Sequence, residues 1–187
     1  NKLNFLISVE RKQLLVEWNQ TEVDYRKDQT IHELFEEQVE RTPENIAVVF
    51  EDQELTYREL NERANKLAYY LQSLGFGPET LVGLCMDRSP EMIVGLLGIL
   101  KAGGTYVPID ASYPENRLSF IFEDTELTIL LTQNHLGSKF FNPKTRSKGK
   151  TIKHIFRIDS DWKITRKMPS KNPTSNASHD SLAFIFY

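Results

Sequence analysis

The chain has 187 residues, 40% hydrophobic and 11% aromatic, which is enough apolar side chain for a packed core and excludes a disordered polymer. Its one cysteine, Cys85, excludes an internal disulfide and points to a reducing compartment such as the cytoplasm. No apolar run approaches the roughly 20 residues of a membrane helix, and the net charge of −3 divides unevenly, with 12 Lys/Arg against 23 Asp/Glu over residues 1–133 and 11 against 2 over 134–171.

In chain order, residues 1–29 combine an amphipathic stretch, Val9 to Trp18, with the polar run NQTEVDYRKDQ and read as a linker. Thr30 and Glu33 have capping-box spacing. Behind them Ile31, Leu34, Phe35 and Val39 form one helical stripe that Pro43 ends. IAVVF (46–50) is a strand, and Glu51-Asp52-Gln53 turns it into ELTY as a hairpin. A second capping box, Thr56 and Glu59, opens a helix with Leu60, Ala64, Leu67, Ala68, Leu71 and Leu74 on one face and Gly75 as its stop.

LVGLCM (81–86) is a fully apolar strand; Ser89 caps the next helix, with Pro90 at its first position. YVPI (106–109) is a strand, 113–126 a helix opened by Pro114, and LTILLT (127–132) a further strand. This alternation predicts an α/β fold with a mostly parallel sheet flanked by helices. Pro108 cannot donate to a ladder on both sides, so YVPID belongs at a sheet edge or bends as it leaves. Residues 150–159 read as a strand, 167–180 as a loop, and SLAFIFY (181–187) as β-like. The strands at 127–132 and 182–187 are both expected to lack sheet neighbours within this chain.

The motif LKAGGTYVPID (100–110) resembles a nucleotide loop only superficially. Phosphate loops follow a strand and open a helix, where free N–H groups and the positive dipole end face the anion. Gly103-Gly104 instead follows a helix and opens a strand, so it reads as a left-handed cap, with Lys101 complementing the helix dipole. Gly95 and Gly98 read as sites of close helix–sheet approach. Asp87-Arg88-Ser89 sits at the usual ligand edge of such a sheet, although capping alone accounts for Ser89.

His32, His135, His154 and His179 have no metal-ligand spacing, Ser119 and Ser181 no nucleophile context, and Cys85 lies inside an apolar strand. The basic block contains only Phe140, Phe141, Phe156 and Trp162 as aromatics and no nucleic-acid signature, so it reads as solvated surface. No nucleic-acid or membrane partner is expected.

The segments LLVEWNQT, IHELFEEQVERTPENIAVVF, LTYRELNERANKLAYYL and LVGLCMDRSPEMIVGLLGILKAGGTYVPIDASYPENRLSFIFED together resemble the N-terminal part of a nonribosomal peptide synthetase adenylation domain, within the adenylate-forming enzymes. LTYREL and LKAGGTYVPID match that family's first two core motifs. The resemblance is close over 9–133 and weak over 134–179. It implies a truncated N-terminal subdomain at 30–187, preceded at 1–29 by a linker from an upstream condensation domain. It also implies an activity for the complete enzyme: an amino-acid carboxylate attacks the α-phosphate of Mg-ATP, pyrophosphate leaves, and the aminoacyl group passes to a phosphopantetheine thiol on a downstream peptidyl-carrier domain. The family's phosphate loop is expected just after Tyr187, and its nucleotide-binding motifs, amino-acid pocket and catalytic lysine further on. No catalytic, cofactor-binding or metal residue is therefore carried over to this chain, and ATP and Mg are not expected to bind well to it. Two alternatives are a non-catalytic docking module on the same scaffold and part of an acyl-CoA or fatty-acyl-AMP ligase.

Overall fold

Two capping boxes start the helices on either side of a β-hairpin. In the computed structural model, which describes residues 7–24, 26–140 and 152–187, Thr30 caps α2 (Ile31–Arg41) and Thr56 caps α3 (Tyr57–Ser73). Each threonine hydroxyl accepts from the backbone N–H three residues on, and each N3 glutamate accepts from the cap's own N–H. These bonds hold the Glu33 and Glu59 carboxyls below the usual range. Between the helices β1 (Ile46–Phe50) and β2 (Gln53–Thr56) pair antiparallel across a two-residue turn, with Glu51 at φ 52°. Upstream, α1 (Ser8–Leu15) and a 3-10 turn (Glu17–Asn19) bury no residue. Residues 1–6, Tyr25 and residues 141–151, which take in Phe141, part of the 134–171 basic block and the start of the strand predicted at 150–159, lie outside the described residues.

The main sheet is parallel, in the order β4-β3-β5-β6. Its strands are β3 (Leu81–Cys85), β4 (Thr105–Pro108), β5 (Ile129–Thr132) and β6 (His154–Arg157), connected by α4 (Pro90–Lys101), α5 (Glu115–Thr125) and α6 (Asn134–Phe140). Pro114 is the N-cap of α5 rather than its first helical residue. The inner strands β3 and β5 are almost wholly apolar because both their faces are covered, whereas the edge strand β6 carries His154 and Arg157. Val82, Leu84, Ile129 and Leu131 enter one core with α3 and α4; Cys85, Val107 and Leu130 enter the other with Leu118, Ile121 and Phe122 of α5.

Two expectations need correcting. The strand predicted at 127–132 is no edge: β5 pairs with β3 on one side and β6 on the other, and all four of its residues are buried. A short, largely apolar run cannot reveal which strands flank it. Gly98 faces a helix rather than the sheet. A Cβ there would lie 2.7 Å from Leu67 Cδ2 of α3, whereas one at Gly95 would meet Leu84 Cδ1 of β3 at 3.0 Å.

Pro108 lies in β4, which ends the four-stranded sheet. The outer edge of β4 is covered only locally. Tyr106 N–H donates to Ala183 O and Ile185 N–H donates to Tyr106 O, both at 3.1 Å. Alternation turns the N position of Pro108 to this same side, and without an N–H it ends the pairing after a single bridge, Tyr106 to Phe184. Leu182, Phe184 and Phe186 consequently remain exposed.

Candidate functional site

In an open parallel sheet, a ligand crevice forms at the carboxyl ends of the strands, where neighbouring connections leave toward opposite faces. Here that point falls between β3 and β5. The helix after β3, α4, packs on one face, and Leu136 of α6, after β5, packs on the other. Asp87, Arg88 and Ser89 stand there as the sequence indicates, and the structure adds Gln133 and His135. The Asp87 N–H donates to Gln133 Oε1 at 2.8 Å, and Gln133 Nε2 donates to Ser89 Oγ at 3.4 Å. His135 Nε2 donates to Asp87 Oδ2 at 2.7 Å, with both side chains more than half exposed. Asp159, just past β6, accepts from the Asn134 N–H at 3.0 Å.

These polar groups satisfy one another across three strand ends, so the crevice is clasped rather than armed. Ser89 Oγ also accepts from the Met92 N–H at 3.3 Å, as a helix cap does, and among the described residues no base stands ready to take its proton. Sequence reasoning did not single out Gln133 and saw His135 only as an isolated histidine, because their meeting with Asp87 and Ser89 requires β5 to lie beside β3.

Beside the clasp lies an open cleft whose walls include Met86, Arg88, Met92, Asp110, Tyr113 and Tyr187. Arg117 stacks over the Tyr113 ring at 4.3 Å and donates to the Tyr187 carbonyl at 3.1 Å. The Tyr187 hydroxyl donates to Asp124, and that bond pushes its pKa up to about 12.

The glycine pair ends α4 as a Schellman motif. Gly103 takes φ 90°, the Gly103 N–H donates to Leu100 O, and the Gly104 N–H donates to Ile99 O, both at 3.0 Å. The turn thus caps carbonyls at the negative end of a helix, which is the wrong polarity for a phosphate. Gly103→Ala is expected to destabilise the chain by about 1–2 kcal/mol, the cost of a left-handed β-carbon, measured as a lower urea midpoint at unchanged slope.

Lys101 does more than complement the helix dipole. Its side chain is fully buried, its ammonium donates to Glu36 Oε1 of α2, and it sits 5.8 Å from the Phe35 ring centre. Burial pushes its pKa below the usual lysine value and the Glu36 carboxylate pulls it back. His32, on the same helix, is buried, with its pKa pushed down by burial, and its Nε2 lies 3.2 Å from Thr30 Oγ1. The other histidines stay dispersed, His179 beside Asp180. Cys85 is buried in β3, and Ser181 Oγ accepts from the Ser178 N–H at 3.0 Å. Among the described residues no three His, Cys, Asp or Glu side chains converge on a metal-sized site, and no helix is long and apolar enough to cross a membrane.

Comparison with known proteins places this architecture. The family profile described as AMP-binding enzyme matches residues 35–187. The chain is 52% identical over 187 residues to a component of the mycosubtilin synthase of Bacillus subtilis, covering 100% of this chain and 7% of that protein. It is 42% identical over 187 residues to bacitracin synthase 3 of Bacillus licheniformis, covering 100% of this chain and 3% of that one. Among solved structures, the nonribosomal peptide synthetase FmoA3 in its alpha-methyl-L-serine-AMP bound form superposes with a TM-score of 0.76 at 32% identity, over 88% of this chain and 18% of that chain. The chain therefore spans only a few per cent of the length of these curated relatives. The helix-flanked parallel sheet, its two core motifs and these matches make the chain a member of the AMP-binding enzyme family, covering the N-terminal part of an adenylation domain of the nonribosomal peptide synthetase kind.

Proposed function

We propose that residues 30–187 are the N-terminal framework of an amino-acid-activating adenylation domain, and that residues 1–29 link it to an upstream condensation domain. The whole enzyme joins an amino acid to ATP, releases pyrophosphate, and hands the aminoacyl group to the phosphopantetheine thiol of a peptidyl-carrier domain in the cytoplasm. The observation that carries this reading is a carboxyl edge that keeps the family's framework while its polar groups are engaged with one another. Asp87, Ser89, Gln133 and His135 bond among themselves. The residues present do not fit a magnesium-bound triphosphate. The double glycine caps a helix carboxyl end, and the Lys101 ammonium is buried against Glu36. The segment supplies walls and strand ends, and binding chemistry belongs to other parts of the enzyme.

The test is amino-acid-dependent ATP–pyrophosphate exchange. The 187-residue chain alone is expected to give background rates. Grafted in place of the matching segment of a relative's adenylation domain, residues 30–187 are expected to keep exchange with the recipient's own amino acid. Turnover by the isolated chain, or a changed amino-acid preference in the graft, would place reactive or selective groups in this segment and defeat the proposal. Exchange supported only by fatty or aryl acids would favour an acyl-ligase reading.

A further inference from the structure

The segment from Met168 to Asp180 crosses the surface of α3 as a strap with no buried residue and no regular secondary structure. Hydrophobic burial therefore does not hold it, and Pro169 and Pro173 cannot donate to a ladder that might. What touches it is a polar stripe on α3. Asn61, Asn65, Tyr69 and Gln72 recur at spacings of three and four, so they share one helix face. Asn65 Nδ2 donates to Ser170 O at 2.7 Å and to Asn172 Oδ1 at 3.0 Å, and Asn61 Nδ2 donates to the same Asn172 oxygen at 2.8 Å. Tyr69 Oη reaches Asn172 O at 3.5 Å, and Gln72 Nε2 donates to Thr174 O at 2.9 Å.

The stripe is not explained by packing. Asn65 is 0% exposed and Asn61 9%, and the Oδ1 atoms of both are buried with no hydrogen-bond partner. A buried, half-satisfied amide costs free energy that a leucine in the same helix face would not. What the amides provide is direction: two donors converge on one acceptor of the strap. Beyond the strap, Thr105 Oγ1 donates to Leu182 O at 2.8 Å, the single bridge to β4 follows, and Phe186 and Tyr187 complete a wall of the carboxyl-edge cleft.

We infer that the α3 stripe is a positioning device, in which Asn61 and Asn65 grip Asn172 and so fix the register at which 183–185 pairs with β4 and Phe186–Tyr187 reaches the cleft. One bridge cannot set that register, because Pro108 stops the ladder from extending. Leu182 is held beside the bridge by Thr105 and by Glu79, whose Oε1 accepts from the Leu182 N–H at 3.2 Å, and the grip on the strap adds the constraint upstream of both.

Hydrogen exchange on the 187-residue chain tests this without reference to catalysis, and Asn172 is exposed, so its variants spare the core. In Asn172→Ala the amides of Tyr106 and Ile185 are expected to exchange at least about tenfold faster, the change that follows loss of hydrogen bonds of ordinary net strength from a local opening. The amides of Thr105 and Ile109, which bond to Thr80 and Leu84, should keep their rates. Asn172→Asp retains an acceptor for both donors and is expected to behave as the parent chain. The inference fails if Tyr106 and Ile185 keep their protection in Asn172→Ala. It fails equally if Thr105 and Ile109 accelerate alongside them, or if Asn172→Asp exchanges as fast as the alanine variant.

Discussion

Glu36→Gln is expected to destabilise the folded chain by about 3 kcal/mol near neutral pH, because it leaves the Lys101 ammonium buried without a counter-charge. Lys101 is 0% exposed and Glu36 19%, so water cannot replace the lost carboxylate. The effect has a signed pH dependence. Burial holds the folded pKa of Lys101 below its ordinary value of 10.5. Between the folded value and 10.5 the unfolded chain binds the proton that the folded chain has released, so stability rises with pH across that window. Removing Glu36 takes away the carboxylate that pulls the folded value up, and the window widens downward. The variant's deficit should therefore be largest near neutral pH, where the parent's Glu36 is ionised and Lys101 charged, and shrink as pH rises toward 10.5. Urea unfolding at about pH 7 and about pH 10 measures both parts. Lys101→Met combined with Glu36→Gln should recover most of the loss, since an apolar chain of similar length removes the uncompensated charge. An equal deficit at both pH values, or a double variant no better than the single one, would show that the pair does not act through charge burial.

Gly98→Ala is the second large effect, and it runs against helix propensity. In an exposed helix the substitution gains about 1 kcal/mol. Here the new Cβ would lie 2.7 Å from Leu67 Cδ2, 2.8 Å from Cγ and 3.0 Å from Cβ. A rotamer change can move the outer two atoms but not the Leu67 Cβ, so α3 and α4 must separate across the main core. The expected net cost is about 2–3 kcal/mol, or a fall of roughly 5–10 °C in Tm. Gly95→Ala is the internal control. Its nearest neighbours are the ends of Leu84 and Met86, at 3.0 and 3.4 Å, which can yield, so its cost should stay below about 1 kcal/mol. Equal stability of the two alanine variants would rule out helix–helix contact as the reason for glycine at position 98.

How much was legible from sequence varies by feature. The capping boxes at Thr30 and Thr56, the Ser89 cap and the glycine stops at 75 and 103 are local signals, and the structure contains each within a residue or so. The carboxyl-edge position of Asp87-Arg88-Ser89 followed from strand–helix alternation alone. Gln133 and His135 did not, because their meeting with Asp87 and Ser89 depends on β5 lying beside β3 although β4 comes between them in the chain. Lys101 looked complete as a dipole partner in a last helical turn. Its carboxylate partner is 65 residues earlier, on a helix whose docking no periodicity describes.

The sequence by itself determined the starts and stops of α2, α3 and α4, that the sheet is parallel, and that Gly103–Gly104 closes a helix, because all of these depend on short-range patterns along the chain. Tertiary structure alone decided the strand order, the burial of Lys101 against Glu36, the contact of Gly98 with Leu67, and the grip of Asn61 and Asn65 on a strap more than a hundred residues away. Those pairings are set by which surfaces pack together, and a chain's local pattern carries apolar faces and turns but not the identity of the face each will meet.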